Sequence, residues 1–180
     1  VLSAYAGVTD LLRDGEVGSV MRRHATITRD LLGAPDRRMM YATGTDAERI
    51  GLGERLSCQT MVTYLNERLQ VPAVLEHADR GLVYQLDDGR VDFERTGEAV
   101  RTRLGHRRGV VTVVTGFLAA DARGRTALLG RGASDLTATT IASALEATDI
   151  RLYKVERGEN GAWVPGKVGI LDHNGGTIPY

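Results

Sequence analysis

The sequence is short of several things, and each shortage removes a class of function. A single cysteine, Cys58, excludes an internal disulfide and any multi-cysteine zinc site. It sits among Leu56, Met61 and Val62 and reads as an ordinary half-buried helix residue. The four histidines, His24, His77, His106 and His173, are scattered without metal-ligand spacing, so no metal site is expected from them. No apolar run is long enough to span a bilayer, and no charged-then-apolar leader precedes the first strand. The expectation is a cytoplasmic protein with no membrane partner.

Charge of one sign is also missing. Lys and Arg total 23 and Asp and Glu total 23, which removes the broad basic field that a phosphate backbone requires. The only local concentration, Arg101 to Arg108, has no interleaved aromatics to stack on bases and reads as a solvated helix end. No nucleic-acid partner is expected. What remains, 42% hydrophobic and 26% charged residues over 180 positions, describes one globular domain with a core.

The elements alternate. Val1 to Ala4 reads as the second half of a buried strand, so a preceding N-terminal piece is expected, and Gly7 breaks it before a helix capped near Thr9 or Asp10. Helices are predicted over 17–32, closed by Gly33, and over 46–69, where Leu52, Leu56, Val62, Leu65 and Leu69 share a face. Short strands are predicted at 73–75, 82–85 and 91–93, then a helix over 96–104. The β-branched run from Gly109 to Thr115 is apolar on both faces, as in a central strand of a covered parallel sheet. An edge strand at 126–129, a helix over 134–146 capped by Ser134, and a strand over 150–155 follow. Strands alternating with helices imply a three-layer αβα fold with a mainly parallel central sheet, as a single domain over 1–180.

Chemistry concentrates in Thr115-Gly116-Phe117 and in Leu129-Gly130-Arg131-Gly132-Ala133-Ser134-Asp135. Two glycines around an arginine let backbone approach a ligand closely, and a helix starting at Ser134 or Asp135 aims free N–H groups at the same place. Arg131 suits a carboxylate or phosphate, and Asp135 suits an ammonium group. Together they fit a zwitterionic amino acid, and they equally fit a plain Gly-rich turn leading into a capped helix.

Thr115-Gly116-Phe117 followed by Leu129-Gly130-Arg131-Gly132-Ala133-Ser134-Asp135-Leu136-Thr137-Ala138 resembles the aspartate kinase signature, which usually has Gly where Ala133 stands. Leu2 to Leu12 is similar to that family's second-strand loop, and Gly53-Glu54-Arg55-Leu56-Ser57 to its Gly-Glu-x-x-Ser helix. Tyr64-Leu65-Asn66-Glu67-Arg68 continues the likeness, which runs in the family's order over roughly residues 1–153. The resemblance implies an amino-acid kinase fold, a role in amino-acid biosynthesis, and ATP- and Mg-dependent phosphorylation of aspartate's side-chain carboxylate. It also implies that Arg131, Gly132 and Ser134 hold the substrate carboxylate, Glu54 accepts from its ammonium, Ser3 and Thr9 line the pocket, and Asp135 is the catalytic residue organising transfer. A homodimer is compatible with it.

Two departures bear on the nucleotide side. The family's Lys-Phe-Gly-Gly segment lies upstream of the residues in this sequence. After Tyr153 the usual Thr-Asp nucleotide segment is replaced by Lys154 to Lys167, in which Lys154, Arg157 and Lys167 are the candidate phosphate contacts and Trp163 is a candidate stacking residue. Gly158, Gly161 and Gly166 form neither a P-loop nor a dinucleotide fingerprint. No regulatory domain is expected within this sequence. The expectation is an aspartate-kinase-like protein binding aspartate or a related amino acid. The alternative is a catalytically impaired homologue that keeps the amino-acid pocket, as a binding or partner subunit or in specialised metabolism.

Overall fold

The computed structural model describes residues 1–35, 44–130 and 132–153, with the backbone of 155–157 and 163–165. Contacts divide the chain into two compact units, Val1–Ala147 and Thr148–Tyr180. In the second, strands β5 (Val155–Arg157) and β6 (Trp163–Pro165) form an antiparallel hairpin. The predicted strand over 150–155 is therefore displaced towards its C-terminal end, and residues 150–153 carry no strand.

The first unit opens with helices α1 (Val8–Arg13), α2 (Val17–Leu32), α3 (Asp46–Ile50) and α4 (Leu52–Glu67). Strand β1 (Ala73–Glu76), helix α5 (Phe93–Leu104), strands β2 (Val111–Val114), β3 (Leu118–Ala120) and β4 (Thr126–Leu128), and helix α6 (Ala133–Ala144) follow. The single long helix expected over 46–69 is two. Gly51, at φ -74 and ψ -3, separates them, and Leu118 packs on it: a Cβ there would come within 2.5 Å of the Leu118 Cδ2. Thr45 and Glu48 close a capping box on α3, worth on the order of 1 kcal/mol.

β2 is central, as its composition predicts. It pairs in parallel with β1 (Val113 opposite Leu75), while Leu2 bridges in parallel to Thr115 on its other side. Val113 belongs to one buried cluster with Cys58 and Val62 of α4, whereas Val114 belongs to another with Val100 and Leu104 of α5 and Ile141 of α6. Neighbouring residues on a strand point to opposite faces, so helices cover both faces of this sheet. Burying either valine contributes about 1.5–3 kcal/mol. Cys58 proves fully buried at the α4 interface, deeper than expected, and that burial pushes its thiol up to about 12.

Several local expectations are corrected by tertiary contacts. The strands expected at 82–85 and 91–93 reduce to isolated bridges, Tyr84 with Ala120 and Gln85 with Val91, because Asp92 caps α5 and draws Phe93 into the helix. β3 adds a strand beyond those expected; its Leu118, Ala119 and Ala120 are all buried and pair antiparallel with β4. α1 is capped by Gly7 at φ 74, not by Thr9 or Asp10. α6 is capped by Gly132 at φ 76, not by Ser134, because only glycine takes that left-handed turn without steric cost. Of the arginine run at the end of α5 and just beyond it, Arg103 and Arg107 are not purely solvated: both pair with the buried Glu76 carboxylate.

Candidate functional site

The parallel segments of the first unit end together, with Ser3, His77 and Gly116 each just past its last paired residue. In open α/β sheets such strand ends are where ligands bind. Glu54, in the first turn of α4, is only 3% exposed there. Its Oε1 accepts from the Ala4 amide at 3.3 Å, and its Oε2 is buried without a hydrogen-bond partner. Burial, only partly countered by the Ala4 amide and the Arg55 charge, pushes this carboxyl up to about 7. One turn on, the Ser57 hydroxyl donates to the Ser3 carbonyl at 2.6 Å. Gly53 allows this approach, since a Cβ there would sit 2.7 Å from that of Ala4.

Ser134 reaches the same strand end from α6. A Cβ on Gly116 would lie 2.6 Å from the Ser134 Oγ and 3.0 Å from the Leu2 carbonyl oxygen. Leu2 is itself clamped there, its amide donating to Val114 and its carbonyl accepting from Gly116. Glu54 and Ser134 thus each touch the four residues from Val1 to Ala4 or their immediate partner. Asp135, next to Ser134, is half-buried. The start of α6 has no side-chain cap; its Ala133 and Asp135 amides donate to the Gly130 and Gly132 carbonyls of the turn.

The remaining sequence candidates are less informative. Ser3 is exposed and contributes its carbonyl, and Thr9 is half-buried within α1. Arg131, Lys154 and Lys167 lie outside the described residues, as do the side chains of Arg157 and Trp163 and all of Gly158, Gly161, Gly166 and His173. No group of three His, Cys, Asp or Glu side chains that could hold a metal is found among the described residues. Ser3 and Ser57 also edge a cavity of about 350 Å³, but its other walls are Leu2, Tyr5, Leu31, Thr60, Met61 and Tyr64, a lining too apolar for a zwitterion.

Two features escaped sequence reasoning. Phe117 adopts φ 66, and the Leu118 amide donates to the Gly116 carbonyl at 2.7 Å, a tight turn with a bulky residue in the left-handed region. The Leu129 amide donates to the Phe117 carbonyl, which pins the end of β4 to this turn. Nothing in Thr115-Gly116-Phe117 except its glycine signals this strain. The second is a buried ion pair of Arg55 with Asp79, for which the sequence offers no cue, since two charges 24 positions apart can meet only through the fold.

A profile of the amino acid kinase family matches residues 1–158. The chain belongs to that family. Its curated relatives include the aspartokinase of Chlamydia muridarum, 29% identical over 90% of this chain and 42% of the relative. The chloroplastic aspartokinase 3 of Arabidopsis thaliana is 34% identical over 58% of this chain and 20% of its own length. Among solved structures, E. coli aspartokinase III in complex with aspartate and ADP superposes with a TM-score of 0.65 at 29% identity, over 82% of this chain and 40% of that one. The same enzyme in complex with lysine and aspartate gives 0.62 at 30% identity. The family match and the two-faced parallel sheet agree on an amino-acid kinase fold of the aspartate kinase type. The chain spans about two fifths of the length of the C. muridarum and E. coli proteins.

Proposed function

We propose that the first unit forms the amino-acid side of an aspartate-kinase-type site and binds aspartate or a close relative. The observation that supports this most is the Glu54 carboxylate. It is buried at the strand ends with one oxygen unpartnered, a costly arrangement that a ligand ammonium would repay. In this reading Glu54 accepts from the ammonium, Arg131 with Ser134 and the Gly132 backbone holds a carboxylate, Ser3 and Thr9 edge the pocket, and Asp135 faces the group to be transferred. When bound, ATP with Mg would supply the phosphoryl group for the side-chain carboxylate.

No group of three His, Cys, Asp or Glu side chains that could hold a metal is found among the described residues, and the three basic candidates for phosphate contribute no described side chain. The replaced segment from Lys154 to Lys167 also supports a second reading, in which the amino-acid pocket operates without phosphoryl transfer.

Calorimetric titration with aspartate, with and without Mg-ATP, tests both readings. Heat of binding lost in Glu54→Gln and unaffected by Mg-ATP supports an amino-acid site uncoupled from the nucleotide. Absence of any aspartate binding would overturn the assignment.

A further inference from the structure

Arg55 follows Glu54 on α4 and is equally buried, at 5% exposure. Its Nη2 donates to the Asp79 Oδ2 at 2.5 Å, and its Nη1 contacts the His77 Nδ1 at 3.2 Å. The same Asp79 oxygen accepts from the Thr126 hydroxyl at 2.6 Å, and Asp79 itself is 4% exposed. Three elements therefore meet at one carboxylate: the α4 turn that carries Glu54, the loop after β1, and the first residue of β4. β4 then runs to Leu129, whose amide is fixed to the Phe117 turn beside Gly116 and Ser134. The two halves of the candidate site, Glu54 on one side and Ser134 on the other, are joined through Asp79.

The node also carries charge. Arg55 is the charged group that acts on Glu54, from the same helix. Cys58, one turn further, is a neutral thiol; the first strand presents the Ala4 amide, and α1 presents Val8 and Leu12 to this turn at Gly53. In a buried, weakly screened setting, the field of an unneutralised guanidinium one residue away would reach the Glu54 carboxylate even without contact. Asp79 weakens that field at its source.

We propose that Asp79 is a positioning residue for the amino-acid site. It holds Arg55 and Thr126 together, so that the Glu54 turn keeps its place relative to the strand leading to Ser134, and it neutralises Arg55, so that Glu54 is left for the ligand's ammonium. The proposal rests on the assignment of Glu54 to that ammonium. It gives the buried pair a purpose beyond stability, since buried ion pairs often contribute no more than apolar residues of the same volume.

The test uses the whole 180-residue chain, carbon-13 labelled, with two variants. Asp79→Asn keeps shape while removing the charge; Thr126→Val keeps the charge pair while removing one arm. An NMR titration of the Glu54 carboxyl, without ligand, should show its midpoint moving down in Asp79→Asn and staying put in Thr126→Val. Aspartate affinity by calorimetry should fall about tenfold or more in both, while thermal melts report folding. If Asp79→Asn fails to fold, unchanged aspartate affinity in folded Thr126→Val overturns the positioning role. A Glu54 midpoint that does not move in folded Asp79→Asn overturns the charge role. If the unaltered chain binds no aspartate yet Asp79→Asn still moves the midpoint, the ligand assignment falls and the control of Glu54 by Asp79 stands.

Discussion

At the scale of single residues, Glu54 and His77 make opposite statements about pH. Glu54 has its folded-state value raised to about 7 by burial, so the folded chain retains a proton that the unfolded chain has released. Stability from this group is full below the ordinary carboxylate range and is lost as pH rises towards 7. Glu54→Gln should therefore raise stability at pH 8 by roughly 1–3 kcal/mol and leave it nearly unchanged at pH 4, as calorimetric melts at the two pH values would show. The same substitution should abolish aspartate binding. In the unaltered chain, affinity for aspartate should weaken as pH is lowered from 8 to 6, because an ammonium needs the ionised carboxylate. His77 runs the other way. Burial first, then the Arg55 and Arg80 charges, lower it to about 4, so its contribution is present above its ordinary value of 6.5 and is lost as pH falls from there towards 4. His77→Gln should flatten the stability profile across that window, measured by urea melts at successive pH values.

At the scale of elements, the site depends on two glycines where strand ends and helices nearly touch. Gly53 brings α4 against Ala4 and Val8, and Gly116 brings Ser134 of α6 against β2. A methyl at Gly116 would meet the Ser134 side chain and the Leu2 carbonyl, so Gly116→Ala must displace the start of α6. A cost of about 1–3 kcal/mol is expected, with aspartate affinity falling by more than that stability loss alone accounts for. At Gly53, whose helix geometry an alanine would otherwise favour, the clash with Ala4 and Val8 should make Gly53→Ala destabilising by a similar amount in denaturant titrations. Elements with strong periodicity or composition were legible in advance: α2 spans the residues its pattern predicts, and β2 is the central strand. The misses cluster where one element is shaped by another. Gly51 lies between two helices with Leu118 filling the space beside it, and Phe93 joins α5 because Asp92 caps it.

At the scale of the whole molecule, the fold brings the proposed amino-acid site together from α4, the segment 1–4 and α6, while the segment after Tyr153 departs from the family pattern on which a nucleotide site would be built. The chain should accordingly bind aspartate weakly and yield little or no aspartyl phosphate. Hydroxamate trapping with Mg-ATP measures this directly, and robust ATP-dependent product would show that Lys154, Arg157 or Lys167 supplies a phosphate clamp. The sequence by itself determined the fold class, the family and the candidates Glu54, Ser134 and Asp135, because hydrophobic period and short motifs are local properties of the chain. Only the tertiary structure decided that the Glu54 carboxylate is buried and half unpartnered, that Phe117 is strained, and that Asp79 ties Arg55 to Thr126. Burial, strain and ion pairing are set by which distant segments come to share one space, and no local pattern of residues encodes that.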